Sequence, residues 1–358
     1  MNKRKLSCAH RGVPPSEITV IIHGPILKDA ISSAPQGMTL AAVQSVKNVI
    51  PGARVLISTW AGSEAEFLGA DQVVYSADPG CLPYGKKARP NNVNRQIIAM
   101  SSGLDLVKTK WVLKLRSDTI LTSDSMFKRW GQYRERNPYL RVFKERIITS
   151  ALLTYHPRTC FQGSRFTPFL FHVNDMIQFG LAEDMRKLWC IPLMPSEDFN
   201  YFTEAQLSGK IDKIGNRRVP EDYIWTRVLA SFGCPTNDSW ADFQPAMVPV
   251  SELSIVNNFH LLDHHDMGFT CLKYPDFGNG YHLIGSAYFS YREWCKLYRI
   301  YCDPSASLPA VGRTILPAIC SNPLAYLNLY RLGQLLKSLS RPARSRIKSA
   351  LRVLRIWK

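Results

Sequence analysis

The chain has nine cysteines, Cys8, Cys81, Cys160, Cys190, Cys234, Cys271, Cys295, Cys302 and Cys320, and none is in a Cys-x-x-Cys pair. An odd, scattered set excludes a disulfide framework and a zinc knuckle, and points to reduced thiols. A basic N-terminus (Asn2, Lys3, Arg4, Lys5) leads into no apolar stretch, so a secretory signal is not expected. No apolar run approaches the ~18 residues a membrane-spanning helix needs. Acidic residues vanish after Asp303, whereas ten basic residues follow it, from Arg313 to Lys358, out of a net charge of +17. That imbalance calls for an anionic surface beneath the tail and says little about an active site.

What is present reads as an α/β protein. With 46% hydrophobic and 20% charged residues, the 358-residue chain can bury a large core. Short apolar runs at 17–22, 54–59 and 71–75 alternate with helical segments, of which 39–48 (Thr39 as N-cap) ends at Pro51-Gly52. In the helix from Asn91, Val93, Ile97, Met100 and Leu104 recur on one face. Such alternation predicts βαβ units and a mostly parallel sheet. Further expectations are a short helix capped at Ser123 or Asp124, a strand over 146–154, and a helix over 176–189 capped by Asn174 and Asp175. The helix 219–232 has Pro220 in its first turn, and Glu221 and Asp222 at its positive end.

The central stretch is KWVLKLRSDT, residues 110–119, an apolar strand that stops abruptly in Arg116, Ser117 and Asp118. Ligands of open α/β sheets sit at the carboxyl edge, so a cation and a carboxylate delivered there could meet phosphate and metal or sugar. The first strand likewise ends in His23, Gly24 and Pro25, a tight exit against which a ribose or flat ring could pack. Asn94 and Arg95 lie off the apolar stripe of their helix. A loop with Lys86, Lys87 and Arg89 could screen a diphosphate. Glu221 or Asp222 could serve as a general base, or could simply complement the helix end. His260, Asp263, His264, His265 and Asp266 are dense in metal-ligand types but lack a second motif, and read better as a polar turn. At the C-terminus, Ile347, Leu351, Leu354 and Trp357 share a face with Arg344, Lys348, Arg352 and Arg355 beside it. A helix of that kind lies in an anionic membrane interface, gaining on the order of 1 kcal/mol per basic residue. Nothing suggests a nucleic-acid partner.

Seven motifs, VIIHGPI (20–26), LISTWAGS (56–63), VVYSADPG (73–80), NNVNRQI (91–97), LKLRSD (113–118), FHVNDMIQFGL (171–181) and PEDYIW (220–225), together resemble the WavE-type lipopolysaccharide-synthesis proteins, glycosyltransferases of GT-A-like fold. The resemblance, over roughly residues 18–232, implies a GT-A-like nucleotide-sugar-binding domain, expected over 17–290; a flexible basic 1–16 precedes it and a helical, basic, membrane-surface segment 291–358 follows, both read from the charge pattern. It implies transfer of a sugar from a nucleotide-sugar donor to a lipopolysaccharide or capsule acceptor, peripherally on the inner face of the cytoplasmic membrane. By that analogy LRSD stands at the metal-binding DxD position and PEDY at the acceptor-side carboxylate. His23 replaces the family's usual Gln, and Arg116-Ser117-Asp118 carries one carboxylate. On this reading His23, Gly24, Pro25, Thr59, Trp60 and Asp78 hold the nucleoside and Asn94, Arg95 and Arg116 the diphosphate. Asp118 binds Mg²⁺ or Mn²⁺, and Asp222 or Glu221 is the base. The alternatives are a sugar nucleotidyltransferase, or a non-catalytic glycan- or membrane-binding protein.

Overall fold

The computed structural model describes residues 13–81, 91–157, 161–162, 165–166, 169–203, 206, 215–273 and 288–309. The basic N-terminus, the loop with Lys86, Lys87 and Arg89 and the amphipathic C-terminal helix lie outside the described residues.

The strands expected early in the chain form with nearly the expected bounds: β1 (Ile18–His23), β2 (Arg54–Trp60) and β3 (Gln72–Ser76). They are followed by β4 (Trp111–Arg116), β5 (Thr119–Leu121), β6 (Ile147–Ser150), a two-residue hairpin of β7 (Phe161–Gln162) and β8 (Arg165–Phe166), and then β9 (Ile177–Leu181), β10 (Phe259–Leu262) and β11 (Phe269–Cys271). Seven strands make one sheet in the order β10-β6-β9-β4-β1-β2-β3. All neighbours run parallel except β9, which is antiparallel to both β4 and β6. The mixed α/β fold with a mostly parallel central sheet is therefore present. β1 is buried at every position, which is why it reads as an unbroken apolar run rather than an alternating one.

Helices α1 (Met38–Val49), α2 (Val93–Asp105), α3 (Ala182–Trp189), α4 (Pro220–Ser231), α5 (Met247–Asn258), α6 (His264–Met267) and α7 (Tyr291–Tyr301) complete the described elements. Gly103 lets α2 lie close on the sheet, since a Cβ there would come within 2.9 Å of Ile21 Cγ2. Among the described residues no helix is long and apolar enough to cross a membrane.

Five expectations need correction. Thr39 does not cap α1: the helix begins at Met38, and Thr39 Oγ1 instead accepts the Leu27 N–H at 2.8 Å. The segment after Asp124 is a single 3-10 turn, Ser125–Arg129, with no side-chain cap. The strand expected over 146–154 stops at Ser150, and the chain turns through Leu153 at positive φ. The helix expected over 176–189 begins only at Ala182, because Ile177–Leu181 is drawn into the gap between β4 and β6, where Gly180 leaves room for Ile147. Helix α7, expected to open the membrane-surface segment, packs into the main core. Ser290 and Glu293 form a capping box, Trp294 and Tyr298 are buried, and Trp294 Nε1 donates to the Phe259 carbonyl at 2.8 Å.

Candidate active site

Parallel register carries several side chains to one edge. His23 ends β1 directly beside Ser58 of β2 and Arg116 of β4. The ladder continues one step further, with Ser117 N donating to His23 O at 3.0 Å and Gly24 N to Ser58 O at 3.1 Å. Gly24 sits at φ +121°, and a Cβ there would come within 3.1 Å of Ser117 Oγ, so a side chain would be strained and Ser117 would have to give way. Because β9 is antiparallel, it starts where β4 ends. The pairing Leu115↔Ile177 thus places Asp175 at the same edge.

Arg116 and Asp118 pair with each other. The guanidinium donates Nε to Oδ1 at 3.0 Å and a second nitrogen to Oδ2 at 2.6 Å, while Thr119 Oγ1 donates to Oδ1 at 3.3 Å. Asp118 is almost enclosed, and the Arg116 side chain remains 32% exposed. Burial alone would lower the Arg116 pKa, but the charge and hydrogen bonds of Asp118 outweigh it and raise it. His23 is buried, its pKa driven well below 6.5 by desolvation first and by the Lys114 and Arg116 charges second, and its Nε2 has no hydrogen-bond partner. A neutral imidazole with an unsatisfied nitrogen beside a guanidinium is a ready recognition group.

Lys114 escaped the sequence reading. It is fully buried in the middle of β4, donating to the Asp175 carbonyl, 3.4 Å from Gln96 Oε1, and 4.3 Å above the Trp189 ring. Burial lowers its pKa to about 7, against the pull of Asp175. Asp175, expected as a helix cap, instead accepts Gln96 Nε2 at 2.5 Å. The cap of that turn is Asn174, whose Oδ1 takes the Met176 N–H at 3.0 Å. A lysine inside an apolar strand was the signal available for this cluster, since a central strand cannot leave it in water.

The two candidate bases differ sharply. Asp222 is sealed, its side chain 1% exposed, with one oxygen 3.1 Å from Arg218 and the other without a partner. Burial raises its pKa to about 6 despite Arg218. Glu221 keeps 22% of its side chain exposed and lies 3.8 Å from His172 Nε2. Its surroundings nevertheless raise its pKa, by desolvation first and by the Asp175 charge second.

Other expected residues are brought only to the rim, or are otherwise engaged. Asp78 and Arg95, assigned separately to nucleoside and diphosphate, form a bidentate pair at 2.7 and 2.6 Å, each about one-third exposed. Both ends of the Asn94 amide hold the Met194 main chain, at 2.7 and 3.0 Å, so Asn94 tethers α2 to the chain before α4 and keeps one amide N–H to donate. Thr59 is enclosed, its hydroxyl 3.4 Å from Ser63 Oγ, and Trp60 is nearly buried. Pro25 follows Gly24 on the open side. The histidine-rich segment does not gather: His260 lies under Trp294, Asp263 accepts the Tyr291 N–H at 2.8 Å, and Asp266 pairs with Arg129 at 3.0 Å. Among the described residues no three His, Cys, Asp or Glu side chains are placed to hold a metal.

With the geometry in place, comparison with known proteins decides the family. The family model described as WavE lipopolysaccharide synthesis matches residues 18–316, most of the sequence. The chain belongs to the WavE lipopolysaccharide synthesis family. The WavE match runs from the first residue of β1 past the end of α7, so it includes both the strand-end residues and the PEDY helix. No curated protein matches. Two solved structures resemble this WavE chain distantly. A cytidylyltransferase from Leptospira borgpetersenii is 12% identical, with a TM-score of 0.32, covering 87% of this chain and 97% of its own. The 4-diphosphocytidyl-2C-methyl-D-erythritol synthase from Anaerococcus prevotii is 9% identical, with a TM-score of 0.29, covering 65% and 95%.

Proposed function

We propose that this WavE-family chain is a glycosyltransferase that moves a sugar from a nucleotide-sugar donor to a lipopolysaccharide or capsule glycan acceptor. The observation that carries the reading is the meeting of His23, Arg116, Asp118, Asp175 and Glu221 in one electrostatically linked group at the carboxyl edge of the sheet. In this reading His23, Gly24, Pro25, Trp60 and Asp78 hold the nucleoside, with Thr59 enclosed beneath them, and Arg95 and Arg116 meet the diphosphate. An arginine whose side chain keeps a third of its surface open can turn one face to phosphate while the other stays on Asp118.

Glu221 is the base in this proposal, because it is the carboxylate an acceptor can reach; Asp222 steadies the helix start through Arg218. Glu221 takes the proton from the acceptor hydroxyl. That oxygen forms a bond to the anomeric carbon as the bond from that carbon to the diphosphate breaks, and the electron pair leaves with the diphosphate toward Arg116. A direct displacement of this kind inverts the configuration at the anomeric carbon.

A Mg²⁺ or Mn²⁺ ion that draws most of its ligands from a diphosphate and water needs only one or two protein carboxylates, so Asp118 fits as its holder. When bound, the ion would add charge neutralisation on the leaving diphosphate. The carboxylate it needs is the one Arg116 already grips, so ion and guanidinium compete for Asp118.

The test is product release by the full chain, offered UDP-, GDP-, CMP- and dTDP-sugars with glycan acceptor. Release of the donor's nucleotide product, abolished in Glu221→Gln, supports glycosyl transfer. Pyrophosphate released from a nucleoside triphosphate and a sugar phosphate would make the protein a nucleotidyltransferase. Failure of every nucleotide to raise the melting temperature would make it a non-catalytic binder.

A further inference from the structure

At the opposite edge of the sheet, where β4 begins, lies a cavity of about 730 Å³ that the proposed reaction does not use. Its wall starts at Lys110 and Trp111, so it stands about 17 Å from the Arg116 end of the same strand, five residues at roughly 3.3 Å each. Into its lining come Arg134, Arg136, Arg141, Lys144 and Arg186, giving six cations with Lys110, against two carboxylates, Glu145 and Glu183. Only one of the six is neutralised among the described residues: Lys144 pairs with Glu183 at 3.0 Å.

The other five make neutral contacts. Arg136 reaches Asn257 Oδ1 at 3.4 Å and the carbonyls of Phe143 and Lys144. Arg186 donates to the Leu104 and Val107 carbonyls, and Arg134 to the Gly131 carbonyl. Arg141 lies 3.5 Å from the Lys144 carbonyl, and Lys110 sits 4.4 Å above the Trp111 ring. Like charges crowd here: burial first, then Arg146 and Arg141, lower the Arg136 pKa to about 10. The loop carrying Arg141 and Lys144 is held in place, since Asn258 Oδ1 accepts the Val142 and Phe143 N–H groups and Asp184 those of Lys144 and Glu145. Trp111, nearly buried in the same wall, has an indole N–H with no acceptor.

We infer that this cavity is a second binding site, specific for a phosphate-bearing anion, on the sheet edge remote from the nucleotide-sugar site. Guanidinium groups whose hydrogen bonds go to neutral acceptors, with Glu145 acting on Arg136 only through its charge, can turn toward phosphate, and the volume is that of a small-molecule site. The phosphate can come from a soluble phosphorylated compound or from a lipid headgroup, and the same residues serve either.

Inorganic pyrophosphate binding by calorimetry and co-sedimentation with phosphatidylglycerol vesicles, phosphatidylcholine vesicles being the control, separate the two sources. The double variant Arg134→Gln/Arg141→Gln changes two exposed side chains that hold no other element. It is expected to weaken binding of pyrophosphate, of anionic vesicles, or of both, by at least tenfold, with its melting temperature and its nucleotide-sugar response unchanged. Loss confined to vesicles assigns the phosphate to a headgroup, and loss confined to pyrophosphate assigns it to a soluble ligand. Equal binding of both probes by wild type and variant overturns the inference, and leaves the glycosyltransferase reading untouched because no residue of that site is altered.

Discussion

Strand β4 ends in opposite electrostatic conditions. At its carboxyl end, among the described residues, three guanidinium groups meet carboxylates: Arg116 with Asp118, Arg95 with Asp78, Arg218 with Asp222. At its amino end five cations line one cavity and, among the described residues, make hydrogen-bond or ring contacts with neutral groups alone. The contrast teaches that net charge and site chemistry are separable in this protein. The carboxyl edge achieves near neutrality through specific pairs, which can be opened one partner at a time by a ligand. At the amino edge the excess charge is left standing for an anion to cancel. Desolvation acts at both ends: it is offset by ion pairs at the carboxyl edge, and at the amino edge it lowers the Arg136 pKa.

The comparison breaks most visibly at Glu221. Glu221→Gln should lower the transfer rate by about 10²-fold or more, the usual worth of a positioned base, while Asp222→Asn should stay within tenfold of wild type. Steady-state rates that fall equally in both variants would deny the distinction between the open and the sealed carboxylate. The pH profile sharpens it. A base works only when deprotonated, so activity is lost as pH falls through the raised pKa of Glu221, with a midpoint expected at about 8, where an ordinary glutamate would give about 4.3. Asp175→Asn removes a negative charge that holds the Glu221 pKa up, and should therefore move the midpoint toward lower pH. A midpoint unchanged by that substitution would detach Asp175 from the site.

A smaller effect is expected on stability. Gly24→Ala forces a side chain onto φ +121° and within 3.1 Å of Ser117, and should cost roughly 1 to 3 kcal/mol in denaturant unfolding. A neutral result would mean that the exit of β1 is not fixed by its contact with β4. Smallest of all is the cation effect. Chelation should slow wild-type transfer severalfold and leave Asp118→Asn indifferent to added Mn²⁺; an Asp118→Asn enzyme that still responds would place the ion elsewhere.

Much of the fold was legible in the chain because the first three strands and α2 are locally consistent: apolar runs of strand formers closed by Gly or Pro, and a helix with one apolar face. The strand ends at His23 and at Arg116 to Asp118 were legible for the same reason, as polar groups terminating buried runs. The region around residues 174–181 was not. Asn174 makes a cap-like turn, but β9 forms after it through pairing with β4 and β6, partners distant in sequence that a local pattern cannot see. Lys114 and Asp175 were missed together, since each acquires its meaning only when β4 and β9 meet. The reading of α7 as a surface segment failed similarly: its aromatic face is a core face once β10 lies beneath it.

In the proposed reaction the carboxyl edge grips an activated sugar through Arg116. Calorimetric titration of the full chain and of its Arg116→Gln variant with the nucleotide-sugar that most raises the melting temperature tests this directly. Wild type should bind it, and the variant at least tenfold more weakly. Equal affinity in the two proteins would contradict it.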